Sequence, residues 1–330
     1  MRDSLNGKLT GKIVLPVGTF IFVFSVLSIL QLKLQPSMLL SERFIKNSGW
    51  IQIILIASYA SIVAYNMHDI KKSAQWRKTT WLVFSVVFFL QLVFGLLGAE
   101  KFLMTGKLHF PIPMMILGGT LYRMQVSFMP ILFISTIILT GPSWCSHLCY
   151  FGVFDYLSST RNKPKPIKKI LRYKFLFLLM IVIAAITLRF FNVPVKWAAC
   201  AALLFGIVGI LVIVFITGKK GQMIHCVVYC PVGTIVNFLK YINPFRIRIN
   251  RSCNLCMRCT SYCRYNALKR DNLEKGKPGL TCTYCGDCLV YCNKQSIEYR
   301  LFRFSPVVSR NLYLFITISV HAIFLALARI

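Results

Sequence analysis

What most limits this chain is a succession of long apolar runs. Ile13–Leu32, Ile51–Met67, Thr80–Gly98, Phe175–Phe191, Ala198–Thr217 and Leu312–Leu327 approach or reach the roughly 20 residues a helix needs to cross a bilayer core. A further crossing is expected within Pro111–Thr140. There Pro111, Pro113, Gly118, Gly119 and Arg123 interrupt the first half, and Val126–Thr140 is apolar but short. A re-entrant loop followed by a crossing helix suits that pattern, because non-helical backbone at membrane depth needs protein or water around it. The expectation is an α-helical integral membrane protein of about seven spans. Ile13–Leu32 is too long for the core of a cleaved signal peptide and reads as a retained anchor.

Charge gives that reading a test. The 330 residues carry 39 Lys+Arg against 9 Asp+Glu, a formal net charge of +30. Nucleic-acid binding, anionic lipid binding and the Lys/Arg bias of cytoplasmic loops all produce such an excess. With Arg2, Lys8 and Lys12 in the cytoplasm, every even-numbered crossing returns to that side. The loop after the second crossing then carries Lys71, Lys72, Arg77 and Lys78, and the loop after the fourth carries Arg161, Lys163, Lys165, Lys168, Lys169 and Arg172. The opposite loops are poorer in bases, which is the positive-inside pattern. No reading helix or base-stacking module is evident, so nucleic acid is not an expected partner.

Between the sixth and seventh runs lies a stretch of ordinary polarity, Gly218–Ser305, and it is rich in cysteine. Cys253, Cys256, Cys259 and Cys263 are spaced C-x2-C-x2-C-x3-C, and Cys282, Cys285, Cys288 and Cys292 repeat the spacing. That is the spacing of bacterial two-cluster ferredoxins, in which the fourth cysteine ligates the other cluster. Three thiolates at two-residue intervals wrap one corner of an iron–sulfur cube, and the fourth, on the helix that follows, faces the other cube. One [4Fe–4S] cluster is therefore expected at Cys253, Cys256, Cys259 and Cys292, and a second at Cys282, Cys285, Cys288 and Cys263. Structural zinc is the competing reading, but zinc uses four ligands, usually as two separated pairs. A disulfide scaffold is excluded by the length of the chain and the clustering of its cysteines. The proline usual after the fourth cysteine is replaced by Arg264 and Asn293. The flanks Phe245–Arg251 and Ser296–Phe302 alternate apolar with polar residues, as half-buried strands do.

Two further pairs, Cys145/Cys149 and Cys226/Cys230, each form Cys-x3-Cys after an apolar run, and each is followed by glycine and an amphipathic stretch. This reads as an internal repeat. Residues four apart share a helix face, so the two pairs together can present four sulfurs to one metal centre. The readings at this point are a third iron–sulfur or metal centre, a redox-active thiol pair or transient metal site, and buried cysteines with a packing role only. His147 and His225 sit beside the pairs and read as structural polar residues, the alternative being a ligand or hydrogen-bond donor to the site. Cys200 stands alone within an apolar run and reads as a small apolar residue.

The motifs WCSHLC and HCVVYCPVG, followed by two ferredoxin runs, resemble the NapH/NosR/CcoG-type membrane polyferredoxins over roughly Gly141–Phe302. Tyr150 stands where that pattern has proline. The resemblance implies a multi-pass protein of the bacterial inner membrane with its clusters in the cytoplasm, moving electrons or serving the maturation of metalloenzymes.

What is missing narrows the function. There is no phosphate-binding loop, no dinucleotide fingerprint and no Cys-x-x-Cys-His for covalent haem. Only His321 lies well inside an apolar run, and bis-histidine haem needs two such residues. On this reading the chain comprises N-terminal transmembrane helices (1–140), a membrane domain with both Cys-x3-Cys motifs (141–240), a ferredoxin-like domain (241–305) and a C-terminal transmembrane helix (306–330). No catalytic residue is identified. The expected role is an electron-transfer subunit between a cytoplasmic or quinol donor and a membrane or extracytoplasmic redox partner, flavin- or haem-bearing. The alternative is an iron–sulfur reductase or assembly factor for a metalloenzyme.

Overall fold

The computed structural model describes residues 2–34, 38–102, 114–125 and 128–327. Among these, seven helical stretches are long and apolar enough to cross a membrane: Gly11–Lys33, Gly49–His68, Ile70–Leu96, Pro130–Leu148, Ile170–Phe190, Val195–Lys220 and Pro306–Leu327. The architecture is that of a helical membrane protein with a small α/β insert, as expected.

Two crossings differ most from the hydropathy reading. The third helix begins at Ile70, not Thr80, so Lys71, Lys72, Arg77 and Lys78 lie on a helix and not in a loop. The reason is a cap: the Asp69 side chain accepts the Lys71 N–H at 2.9 Å and satisfies an otherwise orphan donor of the first turn. Arg77 is fully buried, its guanidinium 5.3 Å from the centre of the Trp81 ring. The fourth crossing extends beyond Thr140 through a 3-10 turn, Gly141–Ser143, into a π-helical turn, Trp144–Leu148. The first cysteine motif thus forms the end of a span instead of following one. Pro111, Pro113 and Val126 lie outside the described residues, while Gly118, Gly119 and Arg123 belong to a ten-residue helix, Met114–Arg123.

The chain divides into two compact units, Met1–His109 with Tyr299–Ile330, and Phe110–Glu298. In the first, helices Arg2–Lys33, Gly49–His68 and Pro306–Leu327 pack together, and Ile70–Leu96 packs on the second of them. Their core holds Val23, Leu27, Ile53, Ala60, Ala64, Ile318, Ala322 and Ala326. Alanines four apart, Ala60/Ala64 and Ala322/Ala326, let helix backbones approach closely where lipid supplies no hydrophobic drive. His321 is buried here with its Nε2 3.0 Å from Tyr59 Oη.

The second unit holds every cysteine. Its long helices Ile170–Phe190 and Val195–Leu211 leave large apolar side chains exposed, among them Leu176, Leu179, Ile183, Leu204 and Ile207. Apolar faces of that extent suit a lipid environment. Beyond the helix Pro231–Leu239 comes strand β1, Phe245–Ile249, which pairs with β2, Ile297–Leu301. Each strand buries its first, third and fifth residues, the period-two pattern of a half-buried strand. The Asn250 N–H donates to the Ser296 carbonyl at 2.8 Å and closes the base of the insert.

Candidate functional site

Two cavities in the insert are lined by cysteine. One is lined by Cys253, Cys256 and Cys259 from the first run and Cys292 from the second. The other is lined by Cys282, Cys285 and Cys288 from the second run and Cys263 from the first. The backbone explains the convergence. Leu255 and Met257 have φ of 55° and 59°, and Tyr284 and Gly286, at the matching places of the second run, have φ of 56° and 81°. Left-handed residues are uncommon outside glycine. Here they turn each run back on itself so that three thiols face one space. Contrary to the expectation, the fourth cysteines do not ride on a following helix. Cys263 closes a single 3-10 turn, Thr260–Tyr262, and Cys292 follows the short helix Asp287–Val290.

The sulfur environments repeat as well. The Ala267 N–H donates to Cys263 Sγ at 3.4 Å, and the Ser296 N–H donates to Cys292 Sγ at 3.3 Å, each from four residues further on. Burial pushes the Cys263 thiol up to about 11, with the Ala267 amide pulling the other way. Burial also pushes Cys288 well up. Cys259 is buried and Cys256 is exposed. Tyr262 lines one cavity and Tyr291 the other, and their rings stack nearly parallel, 5° apart in plane.

The residues that stand in place of proline have work of their own. Arg264 donates to the carbonyls of Ser159, Asn162 and Gly221 at 3.0, 2.8 and 3.0 Å. Its own carbonyl accepts the Met223 N–H at 3.0 Å. Asn293 accepts from Arg258 at 3.1 Å.

Both Cys-x3-Cys motifs adopt the same unusual turn. Trp144–Leu148 and His225–Tyr229 are π-helical, and Cys149 and Cys230 end them in extended conformation. The Cys149 N–H reaches back to the Trp144 carbonyl at 2.9 Å, and the Cys230 N–H to the His225 carbonyl at 2.7 Å. Single π-turns are rare and concentrate at functional sites. Amides two and three residues on, Phe151 and Gly152, donate to Cys149, and Val232 and Gly233 do the same for Cys230. The helices Gly152–Ser159 and Pro231–Leu239 begin there. A Cβ on Gly233 would lie 2.6 Å from the Cys226 carbonyl oxygen, so this close approach requires glycine.

The two turns bring the four thiols together. Cys145 and Cys230 share an apolar cluster with Phe133, Ile137, Val232 and Val236. Burial pushes the Cys226 thiol well up, and Asp155, Cys149, Cys230 and Cys145 add to the effect. Cys149 rises to about 12, by burial first and Cys230 second. His147 bonds Ser146 Oγ at 3.0 Å. His225 stacks on Phe151 and lies tilted against Tyr229, and burial lowers it to about 4, so it is neutral. His225 Nδ1 is buried and meets no hydrogen-bond partner among the described residues. Cys200 lies exposed on its helix.

Sequence reasoning passed over two buried charges. Asp155 accepts from Thr217 Oγ1 at 2.7 Å and from the Cys226 N–H at 2.9 Å, tying the helix after the first motif to the turn of the second. Burial raises its carboxyl to about 6. Lys174 is fully buried and donates to the Gly233 carbonyl at 3.4 Å. A charged residue in an otherwise apolar stretch was the available signal for both. The motif also touches the insert: Tyr265 Oη donates to the Cys145 carbonyl and Ser146 Oγ to the Thr283 carbonyl, each at 3.4 Å. Tyr265 and Thr283 line the cavity of Cys263, Cys282, Cys285 and Cys288.

Among the described residues, no three His, Cys, Asp or Glu side chains close around the point a single metal ion needs. The donor set of the two cavities fits an iron–sulfur cube: free thiols, four to a cavity, with amide N–H groups directed at sulfur. A 4Fe-4S binding domain matches the chain twice, over residues 124–168 and 202–250. The two matches together cover less than half of the chain, and they support an iron–sulfur protein capable of electron transfer. The matches fall on the two Cys-x3-Cys repeats and end before the ferredoxin runs begin. Over 177 residues the chain is 21% identical to an uncharacterized protein of Methanocaldococcus jannaschii, a stretch that is 50% of this chain and 66% of that protein. The chain therefore spans just under two thirds of that relative's length. No solved structure matches it.

Proposed function

We propose that this protein relays electrons between a cytoplasmic or quinol donor and a redox partner in or across the membrane, through [4Fe–4S] clusters held by three cysteine sets. The observation that carries the reading is the crossed lining of the two insert cavities, each with three thiols from one run and a fourth from the other. Cys253, Cys256, Cys259 and Cys292 form the outer set and Cys263, Cys282, Cys285 and Cys288 the inner one. Cys145, Cys149, Cys226 and Cys230 form the third, at the membrane edge, supported by the matched domain and by the twofold repetition of the turn. When bound, a cube supplies one-electron transfer.

The chain's own residues do the rest. Thiolates offset the iron charge, apolar walls around Cys145 and Cys230 exclude water, and amides aimed at sulfur stabilise the reduced charge. Exposed Cys256 gives a soluble donor access, and Tyr265 and Ser146 join the inner set to the membrane edge. The Lys/Arg bias supports an insert on the cytoplasmic face of a bacterial inner membrane. The partners proposed are flavin- or haem-bearing redox proteins and membrane quinone.

Anaerobic purification followed by iron and acid-labile sulfide assay, with EPR after dithionite reduction, tests the proposal. Stoichiometric iron and sulfide with more than one [4Fe–4S] signal is the expected result. Zinc-loaded, EPR-silent protein overturns it.

A further inference from the structure

Burying an ammonium group without an anion costs several kcal/mol. This chain buries two in its cysteine-bearing unit, Lys174 and Lys240. Lys174 Nζ donates to the Gly233 carbonyl at 3.4 Å, and Lys240 Nζ to the carbonyls of Gly279 and Leu280 at 3.3 and 2.5 Å. Neither meets a carboxylate in a salt bridge among the described residues.

Their neighbours are sulfur. Lys174 lies within electrostatic reach of Cys145, Cys226 and Cys230, and its carbonyl partner, Gly233, is one of the residues whose amide bonds Cys230. Lys240 lies within reach of Cys282 and of Lys174. The two cations therefore stand one beside each inner cysteine set and within reach of each other. The outer cavity is lined by cations too, Arg258 and Lys294, but both are exposed to solvent, which screens them.

We propose that Lys174 and Lys240 are fixed counter-ions of the two inner sets, and that their positive charge makes those centres easier to reduce than the outer one. This rests on the reading of the cysteine sets given under Proposed function. Reduction adds one electron, taken from the outer set or from dithionite in the test, and one negative charge. No bond breaks and no proton moves. A neighbouring ammonium lowers the free energy of the added charge in a low-dielectric site. Both lysines are thus positioning residues for the electron, drawing it inward to the membrane edge.

The test uses the full-length protein, loaded anaerobically, with K174M, K174R and K240M compared by EPR-monitored redox titration. K174M is expected to lower the reduced fraction of the membrane-edge centre at least tenfold at a fixed potential, a midpoint shift of about 59 mV for one electron. K174R is expected to stay within threefold of wild type, and K240M to shift the inner insert centre in the same direction as K174M shifts its own. A second readout needs no cluster. Metal-free K174M is expected to melt higher than metal-free wild type, because methionine relieves an uncompensated buried charge.

An unchanged midpoint in fully loaded K174M overturns the proposal. If K174M does not load, a metal-free melting temperature no higher than wild type overturns it. Failure of the underlying reading looks different: the quadruple serine variant of Cys145, Cys149, Cys226 and Cys230 then loses no iron relative to wild type, and no membrane-edge signal exists to shift.

Discussion

Arg264 Nη1 donates to the carbonyl oxygen of Gly221 at 3.0 Å, joining the residue after the first ferredoxin run to the loop before the second Cys-x3-Cys motif. The same nitrogen reaches Ser159, the last residue of the helix after the first motif, and Asn162 in the loop beyond it. Gly221 sits at φ +62°, and a Cβ there would lie 2.4 Å from the Lys163 carbonyl oxygen, so the two loops are pressed together beneath the guanidinium. One side chain thus ties the insert to both repeats.

Arg264→Ala is expected to loosen that attachment. Losing these charge-assisted bonds should cost about 2 kcal/mol and speed hydrogen exchange at Ser159–Lys165, while the iron of the two insert sets stays bound. Unchanged exchange in that loop would contradict the assignment.

The crossed ligation proposed for the two cavities predicts crossed damage. Cys292→Ser should abolish the EPR signal of the centre held by Cys253, Cys256 and Cys259, and leave that of Cys282, Cys285 and Cys288 largely intact. Cys263→Ser should do the reverse. If each substitution harms the centre of its own run instead, the pairing is wrong.

Gly233→Ala should strike the membrane-edge site alone. The added methyl would sit 2.6 Å from the Cys226 carbonyl oxygen, and overpacking of that kind costs about 1–3 kcal/mol. Loss of iron equivalent to one centre, with both insert signals retained, is the expected readout.

Cluster loading should release protons. Burial holds Cys149 up near 12 and Cys226 well above its ordinary range, so without iron these thiols are protonated at pH 7. Ligation requires the thiolate. Acidification therefore opposes loading, and raising the pH favours it. Proton release during reconstitution, followed with an indicator dye, should exceed that of a variant with these two cysteines changed to serine.

The apolar runs and the two cysteine runs that line the insert cavities were readable because their information is local: a length of hydrophobic chain, or a spacing within eleven residues. The Cys-x3-Cys repeat was readable as a pattern, but its π-turns were not, since the second cysteine's amide must skip to the fifth residue back before that shape exists. The start of the third helix at Ile70 escaped because hydropathy weighs composition, while the Asp69 cap fixes the boundary. Asp155, Lys174 and Arg264 were out of reach for another reason. Each is a single charged residue whose meaning comes from backbone atoms tens of residues away, Cys226 N, Gly233 O and Gly221 O.

The bond from Cys226 N–H to Asp155 has a consequence for biosynthesis. Each repeat brings two of the four membrane-edge sulfurs, and the brace between them closes only once the second π-turn, His225–Tyr229, has been made. The nascent first half is a template waiting for its mate. A cluster held by Cys145, Cys149, Cys226 and Cys230, as proposed, would therefore be inserted only after residue 230 had been made.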